Sequence, residues 1–177
     1  MITFIDRFDG EYRWLSNFWP VPVFYDGDGY PSVENAYQAA KTVMVEEREP
    51  FRNCTAGQAK RLGRRVTMRF DWEGIKLRVM EDLLRQKFAG YLDGLTKKLL
   101  ATGDAVLVEG NTWGDRFWGK VPDAQGDGEN HLGQLLMKIR NELRRRDCDQ
   151  GGDLCAAGRR DGVACPEDSC DREDGVR

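Results

Sequence analysis

The chain has 177 residues, 27 Lys and Arg against 30 Asp and Glu for a net charge of -3, and 40% hydrophobic residues. That length suits one domain with its own core, and no apolar run approaches the ~18 residues needed to span a bilayer. The start MITFIDRFDG lacks the basic and then apolar pattern of a secretion signal, so a cytoplasmic location is expected.

Short strands are predicted first: ITFI, then PVPVFY, which the turn-rich DGDG separates from Tyr30 and Pro31 as a hairpin. Ser32 is placed to cap a helix carrying Val33, Ala36, Tyr37, Ala40 and Met44 at helical spacing. Thr55 with Gln58 is a capping-box signature for a helix through about Val66. Asp71 is expected to cap a longer helix in which Ile75, Val79 and Leu83, with Met80, Leu84 and Phe88, make one broad apolar stripe. The next helix carries Leu92, Leu95 and Leu99 and ends at Gly103. AVLVEG follows as a short buried strand, then NTWGDRFWGK and DAQGDGEN as loops. Asn130 is expected to cap a closing helix whose core face is Leu132, Leu135, Leu136, Ile139 and Leu143.

The expected fold class is α+β: a compact single domain over 1–146, mainly helical with a few short strands. Residues 147–177 form an acidic Gly/Asp/Cys-rich tail whose composition predicts disorder. This tail holds nine acidic and four basic residues, leaving 23 basic and 21 acidic ahead of it. A near-neutral body argues against a broad nonspecific DNA-binding face. Four of the five cysteines, Cys148, Cys155, Cys165 and Cys170, lie in the tail at spacings that match no zinc pattern, so no metal is expected.

At 100° per residue Glu34, Gln38 and Lys41 share a narrow arc of the first helix, suited to a solvated face or to a cleft edge. Trp113, Phe117 and Trp118 crowd Asp115 in a Gly-rich loop. That arrangement either pins the loop to the core or stacks on a planar ligand and presents it a carboxylate. Trp72 at a helix start has the same two readings, and Asn17 either closes a turn or reads a base edge. GDGEN, ahead of a helix N-terminus, is a setting that can bind phosphate through free backbone N–H groups. Neither a P-loop nor a dinucleotide fingerprint is present, so no ATP or NAD cofactor is expected. His131 has no second histidine to support a metal site.

Taken in order, YRWLSNFWP, YPSVENAYQAAK, FDWEGIKLRVMEDLLRQKF, LLATGDAVLVEG, DRFWG and GENHLGQLLMKIRNELR resemble the YbiA-like, or NADAR, N-glycosidase family from Phe8 to Leu143. The resemblance implies a metal-free α+β enzyme that hydrolyses the bond between a phosphorylated ribose and a base. The substrates it implies are ribosylamino-pyrimidine intermediates of riboflavin synthesis or, alternatively, ADP-ribose on guanine in DNA. By position, the family's E-H-x-x-Q-x-x-K helix corresponds to Glu34, Gln38 and Lys41, with Asn35 where His is usual. The family's helix-start Trp is similar to Trp72, its D-x-x-W-G to Asp115, Trp118 and Gly119, and its G-x-N-x-L-G to Gly128, Asn130, Leu132 and Gly133. The implied assignment makes Glu34 and Asp115 catalytic and gives substrate binding to Asn17, Gln38, Lys41, Trp72, Trp118 and Asn130. Lys41 has two implied roles, a phosphate contact or a Schiff-base amine. A noncatalytic module binding ADP-ribose or a related nucleotide is the reading from another class, and it needs neither acid.

Overall fold

The computed structural model describes residues 3–89, 94–121 and 128–149. The chain divides into a body, Met1–Leu143, and a C-terminal unit, Arg144–Arg177. Of that second unit only 144–149 are described, as the end of the last helix; the rest of the predicted tail lies outside the described residues, as do Leu92 and the loop 122–127.

The fold is α+β. Strand β1 (Phe4–Ile5) pairs in parallel with β4 (Val106–Leu107), and β2 (Pro20–Tyr25) pairs antiparallel with β3 (Asp28–Ser32). The helices among the described residues are α1 (Val33–Ala39), α2 (Val45–Arg48), α3 (Ala56–Leu62), α4 (Trp72–Ala89), α5 (Leu95–Ala101) and α6 (His131–Asp149), with short 3-10 turns at Gly10–Leu15 and Glu49–Arg52. No helix among them is long and apolar enough to cross a membrane.

The hairpin forms because Asp26 and Gly27 both take positive φ, 52° and 83°, giving the two-residue turn whose twist matches its strands. Its tip is anchored: Asp26 accepts a 2.5 Å bond from Arg48 Nη1, and Arg48 Nε donates to the Thr42 carbonyl at 2.9 Å. The chain just beyond α1 is thereby fixed. Ser32 caps α1 as expected, accepting from the Asn35 N–H. The helix stops at Ala39, however, and Met44, expected on its apolar face, lies beyond it and is 48% exposed. The reason is local: Thr42 Oγ1 bonds Glu47 and accepts the Met44 N–H, drawing the chain into a turn. Every residue of α1 is buried, because its small Ala36 and Ala39 let α3, α4 and the hairpin close around it.

The capping box of Thr55 and Gln58 is present on α3, but the helix ends at Leu62 rather than near Val66. Gly63 follows it and lies so close to the Gln38 amide that a Cβ there would collide. Along α4, Val79, Met80, Leu83, Leu84 and Phe88 are buried as the stripe predicts. Asp71 precedes that helix but directs its carboxylate to Arg69, at 2.6 and 3.0 Å. Asn130 likewise precedes α6 without the side-chain cap expected of it. At φ 56° it turns its amide onto β4, donating to the Leu107 carbonyl at 2.9 Å and accepting the Glu109 N–H at 3.0 Å.

Candidate active site

A cleft of about 690 Å³ opens in the body. Its walls include four acids, Asp9, Glu34, Glu109 and Asp115, the amides of Asn17 and Gln38, the rings of Phe18, Tyr37, Trp113 and Trp118, and five cations, Arg13, Lys41, Lys60, Arg61 and Arg64. Six of the eight predicted site residues meet here; Trp72 and Asn130 are not among the walls.

Glu34 sits in the first turn of α1, where the helix dipole favours negative charge, and is only 6% exposed. Its N–H donates to the Asn17 carbonyl at 3.0 Å, and its Oε1 accepts from Gln38 Nε2 at 2.9 Å, one helical turn on. Burial pushes the Glu34 carboxyl above the usual range, against the opposing effects of the Gln38 hydrogen bond, Lys60 and Lys41. Lys41 lies just past the end of α1, its carbonyl held by the Arg69 N–H at 2.7 Å. Burial draws its ammonium below the ordinary lysine value; Glu34 opposes the shift, and Arg64 and Lys60 add to it. Asn17 Nδ2 approaches Met80 Sδ at 3.5 Å, while its Oδ1 is buried without a hydrogen-bond partner among the described residues, an acceptor left for a ligand.

Asp115 belongs to a loop cinched by Asn111, which is 2% exposed. Asn111 Nδ2 donates to the carbonyls of Asp115 and Lys120, and its Oδ1 accepts the Asp115 N–H. Asp115 Oδ1 in turn accepts the N–H groups of Phe117 and Trp118, at 3.2 and 2.9 Å. The acid therefore shapes its own loop as well as facing the cleft. Trp118 meets the Tyr37 ring edge-on at 5.4 Å, and Tyr37 leans on Trp72 at 5.0 Å. Trp72 thus packs behind the wall that Tyr37 and Trp118 present. Burial raises the Tyr37 hydroxyl far above its ordinary value, which keeps it a neutral donor and acceptor at physiological pH.

Sequence reasoning missed Glu109, Tyr37 and four of the cations. Glu109 ends the apolar run AVLV, and an acid closing a buried strand was the available signal. Lys60 and Arg61 on α3, and Arg64 just past its end, look like ordinary solvated charges until that helix packs on α1 and brings them to one rim. Among the described residues, Arg13, Lys60, Arg61 and Arg64 make no ion pair within 4 Å, and Lys60 lies over the Trp113 ring at 5.2 Å. Asn35, where the family usually has His, is fully buried and bonds the carbonyls of Phe51 and Cys54 at 2.8 Å, a structural tie outside the cleft. His131 contacts Glu129 at 2.6 Å and packs on Phe117.

The sequence matches the NADAR domain over residues 3–144. It is 38% identical to the N-glycosidase YbiA of Escherichia coli K12 over 146 residues, which cover 81% of this chain and 88% of that protein. A riboflavin biosynthesis protein of Vibrio vulnificus, VVA0006, is 40% identical over 138 residues, 76% of this chain but only 36% of that longer protein. The NMR structure of E. coli YbiA superposes with a TM-score of 0.70 at 32% identity, covering 95% of this chain and 94% of that one. With a domain match across most of the sequence and a relative matched over nearly its whole length, the chain belongs to the NADAR domain family.

Proposed function

We propose that this NADAR-family N-glycosidase hydrolyses the bond between a phosphorylated ribose and an amino-substituted heterocycle such as a ribosylamino-pyrimidine, and that it does so in the cytoplasm. The observation that carries this is a buried carboxyl, Glu34, in a cleft that also offers Asp115, stacking rings and a cationic rim. Cleaving a ribosyl C–N bond builds positive charge on the sugar, and a fixed carboxylate in a shielded site favours that transition state over the ground state. Glu34 takes the proton of the water that attacks the anomeric carbon, and the rise in its proton affinity on burial makes it a stronger base than an exposed carboxylate. Asp115 holds the ribose, Lys41 and the rim take the phosphate, and Trp118 stacks on the base while Asn17 and Gln38 read its edge. Trp72 and Asn130 contribute from behind, as packing and as a clamp.

A second reading, ADP-ribose removed from modified guanine in DNA, is favoured by the rim itself. Four cations that make no ion pair within 4 Å among the described residues suit a pyrophosphate or a nucleic-acid backbone better than a single phosphate monoester. The deciding experiment incubates wild type and Glu34→Gln with a ribosylamino-pyrimidine phosphate and with ADP-ribosylated oligonucleotide, reading ribose phosphate or ADP-ribose release. Glu34→Gln is expected to lose about 10²- to 10⁴-fold in kcat while remaining folded. Near-native turnover by Glu34→Gln overturns the assignment, and tight binding of either product by wild type without turnover points to a noncatalytic module.

A further inference from the structure

Glu109 is a partly buried acid of the cleft to which the family motifs assign no role, and its setting is built. Its N–H is fixed by Asn130 Oδ1 at 3.0 Å and its carbonyl accepts the Lys120 N–H at 2.9 Å, so the backbone is held from both sides. Its side chain lies against Gly119, where a Cβ would collide with the Glu109 carbonyl and stand 3.0 Å from its Cγ. Glu109 Oε2 is buried without a hydrogen-bond partner among the described residues, although the side chain lines the cleft that holds Glu34 and Asp115. A carboxyl oxygen so placed is expensive unless it carries a proton or meets a ligand.

Building on the N-glycosidase reading above, we propose that Glu109 is the general acid of this cleft, handing its proton to the nitrogen of the departing base. The electrons of the C1′–N bond pass to that nitrogen, which receives the Glu109 proton and leaves as a neutral N–H. Water adds to C1′ and gives its proton to Glu34. Once products leave, the Glu34 proton returns to solvent and Glu109 is reprotonated from it, so the cycle consumes one water and no other reagent. The groups facing Glu109 fit this role. Burial and then Asp115 push its carboxyl up, with Glu34 adding and Lys60 and Lys87 opposing, to about 7. Glu109 is thus substantially protonated at neutral pH, the condition for an efficient acid. Glu34 and Glu109 then divide base and acid duties, and Asp115 is left to the sugar.

The test compares wild type and Glu109→Gln on two ribose 5-phosphates, one carrying an amino-pyrimidine and one a p-nitrophenolate leaving group. Nitrophenolate departs without a proton, so a missing acid spares it. Glu109→Gln is expected to lose about 10²- to 10⁴-fold in kcat on the first and less than about tenfold on the second. Wild-type kcat/KM on the first should decline as pH rises through about 7, with no such limb on the second. The wild-type profile decides the matter even if Glu109→Gln does not fold. Equal losses on both substrates, or the same alkaline limb on both, overturn the assignment and leave the N-glycosidase reading standing. Wild type that releases base from neither this substrate nor an ADP-ribosylated oligonucleotide overturns both.

Discussion

Replacing Asn130 separates a clamp from a substrate contact, because the two roles predict different observables. Its amide makes two bonds across to β4, to the Leu107 carbonyl and from the Glu109 N–H, and its backbone sits at φ 56°. Asn130→Ala strands the Leu107 carbonyl and the Glu109 N–H, at about 1–3 kcal/mol each if water does not reach them. It also places a Cβ-bearing residue without a compensating hydrogen bond in the left-handed region, at about 1–2 kcal/mol. Partial relaxation brings the expected total to about 3–5 kcal/mol, a large share of the 5–15 kcal/mol typical of a domain. At an m-value of about 2 kcal/mol/M the urea midpoint should fall by about 1.5–2.5 M. Asn130→Gly loses the same bonds without the backbone strain, so it should be the milder change by about 1 kcal/mol. Urea titrations followed by tryptophan fluorescence measure both. A midpoint for Asn130→Ala within about 0.3 M of wild type, together with a raised KM, would refute the clamp and restore the direct substrate contact that the motif implies.

Four further outcomes are expected. Gly133→Ala should destabilise the fold even though Ala is the better helix former by about 1 kcal/mol, because a Cβ there would run into the Leu107 carbonyl and the Asn130 amide; thermal melts check this. Trp72→Ala should lose about 3–5 kcal/mol as Tyr37 loses its backing, whereas Trp72→Phe should keep KM within about twofold, which direct base stacking by Trp72 would not allow. The double change Arg61→Ala with Arg64→Ala should raise KM and flatten its salt dependence, since both side chains are exposed cations at the cleft mouth. Glu109 binds its proton more tightly folded than unfolded, so its contribution to stability declines as pH rises from about 4.5 to about 7. Wild type should therefore lose more stability than Glu109→Gln between pH 5 and pH 7, as read by urea midpoints.

The parts of the fold that local rules govern were legible in the sequence. Asp26-Gly27, Ser32 and the Thr55/Gln58 box mark a turn and two helix starts, since each needs only its immediate neighbours to form. The ends of α1 and α3 were not, because Thr42 answers to Glu47 and Gly63 to Gln38, partners supplied by tertiary packing. The same division runs through the site. Glu34 and Gln38 lie one turn apart and could be paired on paper, but helical spacing cannot show that α1 is buried on every side. Glu34 and Gln38 are buried residues that nevertheless line the cleft, and Lys41, beyond the helix end, joins them only partly buried. Glu109 escaped because its setting depends on a strand that ends at Leu107, short of it, and on Asn130, twenty-one positions away. Among the motifs, Gly119, Gly128 and Gly133 each sit where a Cβ would strike a backbone carbonyl, so part of what the family pattern records is close packing around the cleft rather than chemistry within it.

The arginines of the cleft differ in exposure from three of its acids. Glu34 is buried and Glu109 and Asp115 are partly buried, as are Lys41 and Lys60, whereas Arg13, Arg61, Arg64 and the acid Asp9 are exposed. Electrostatic interactions strengthen as water is excluded, so on the proposed reading the shielded Glu34 carboxylate acts most strongly on a sugar that gains positive charge in the transition state. The exposed arginines remain screened by solvent and salt, which suits them to drawing in and orienting a phosphate without opposing that charge. Reversing the order, with cations shielded and acids at the mouth, would repel the substrate and raise the barrier together. The near-neutral charge of the body conceals this arrangement, since the sum over residues is insensitive to which sign is buried. A cleft of about 690 Å³ also exceeds what a ribose phosphate fills. The same cleft carries Trp113, Phe18 and the exposed arginines, so on the proposed reading it has room for the base and for a second phosphate beside the ribose phosphate.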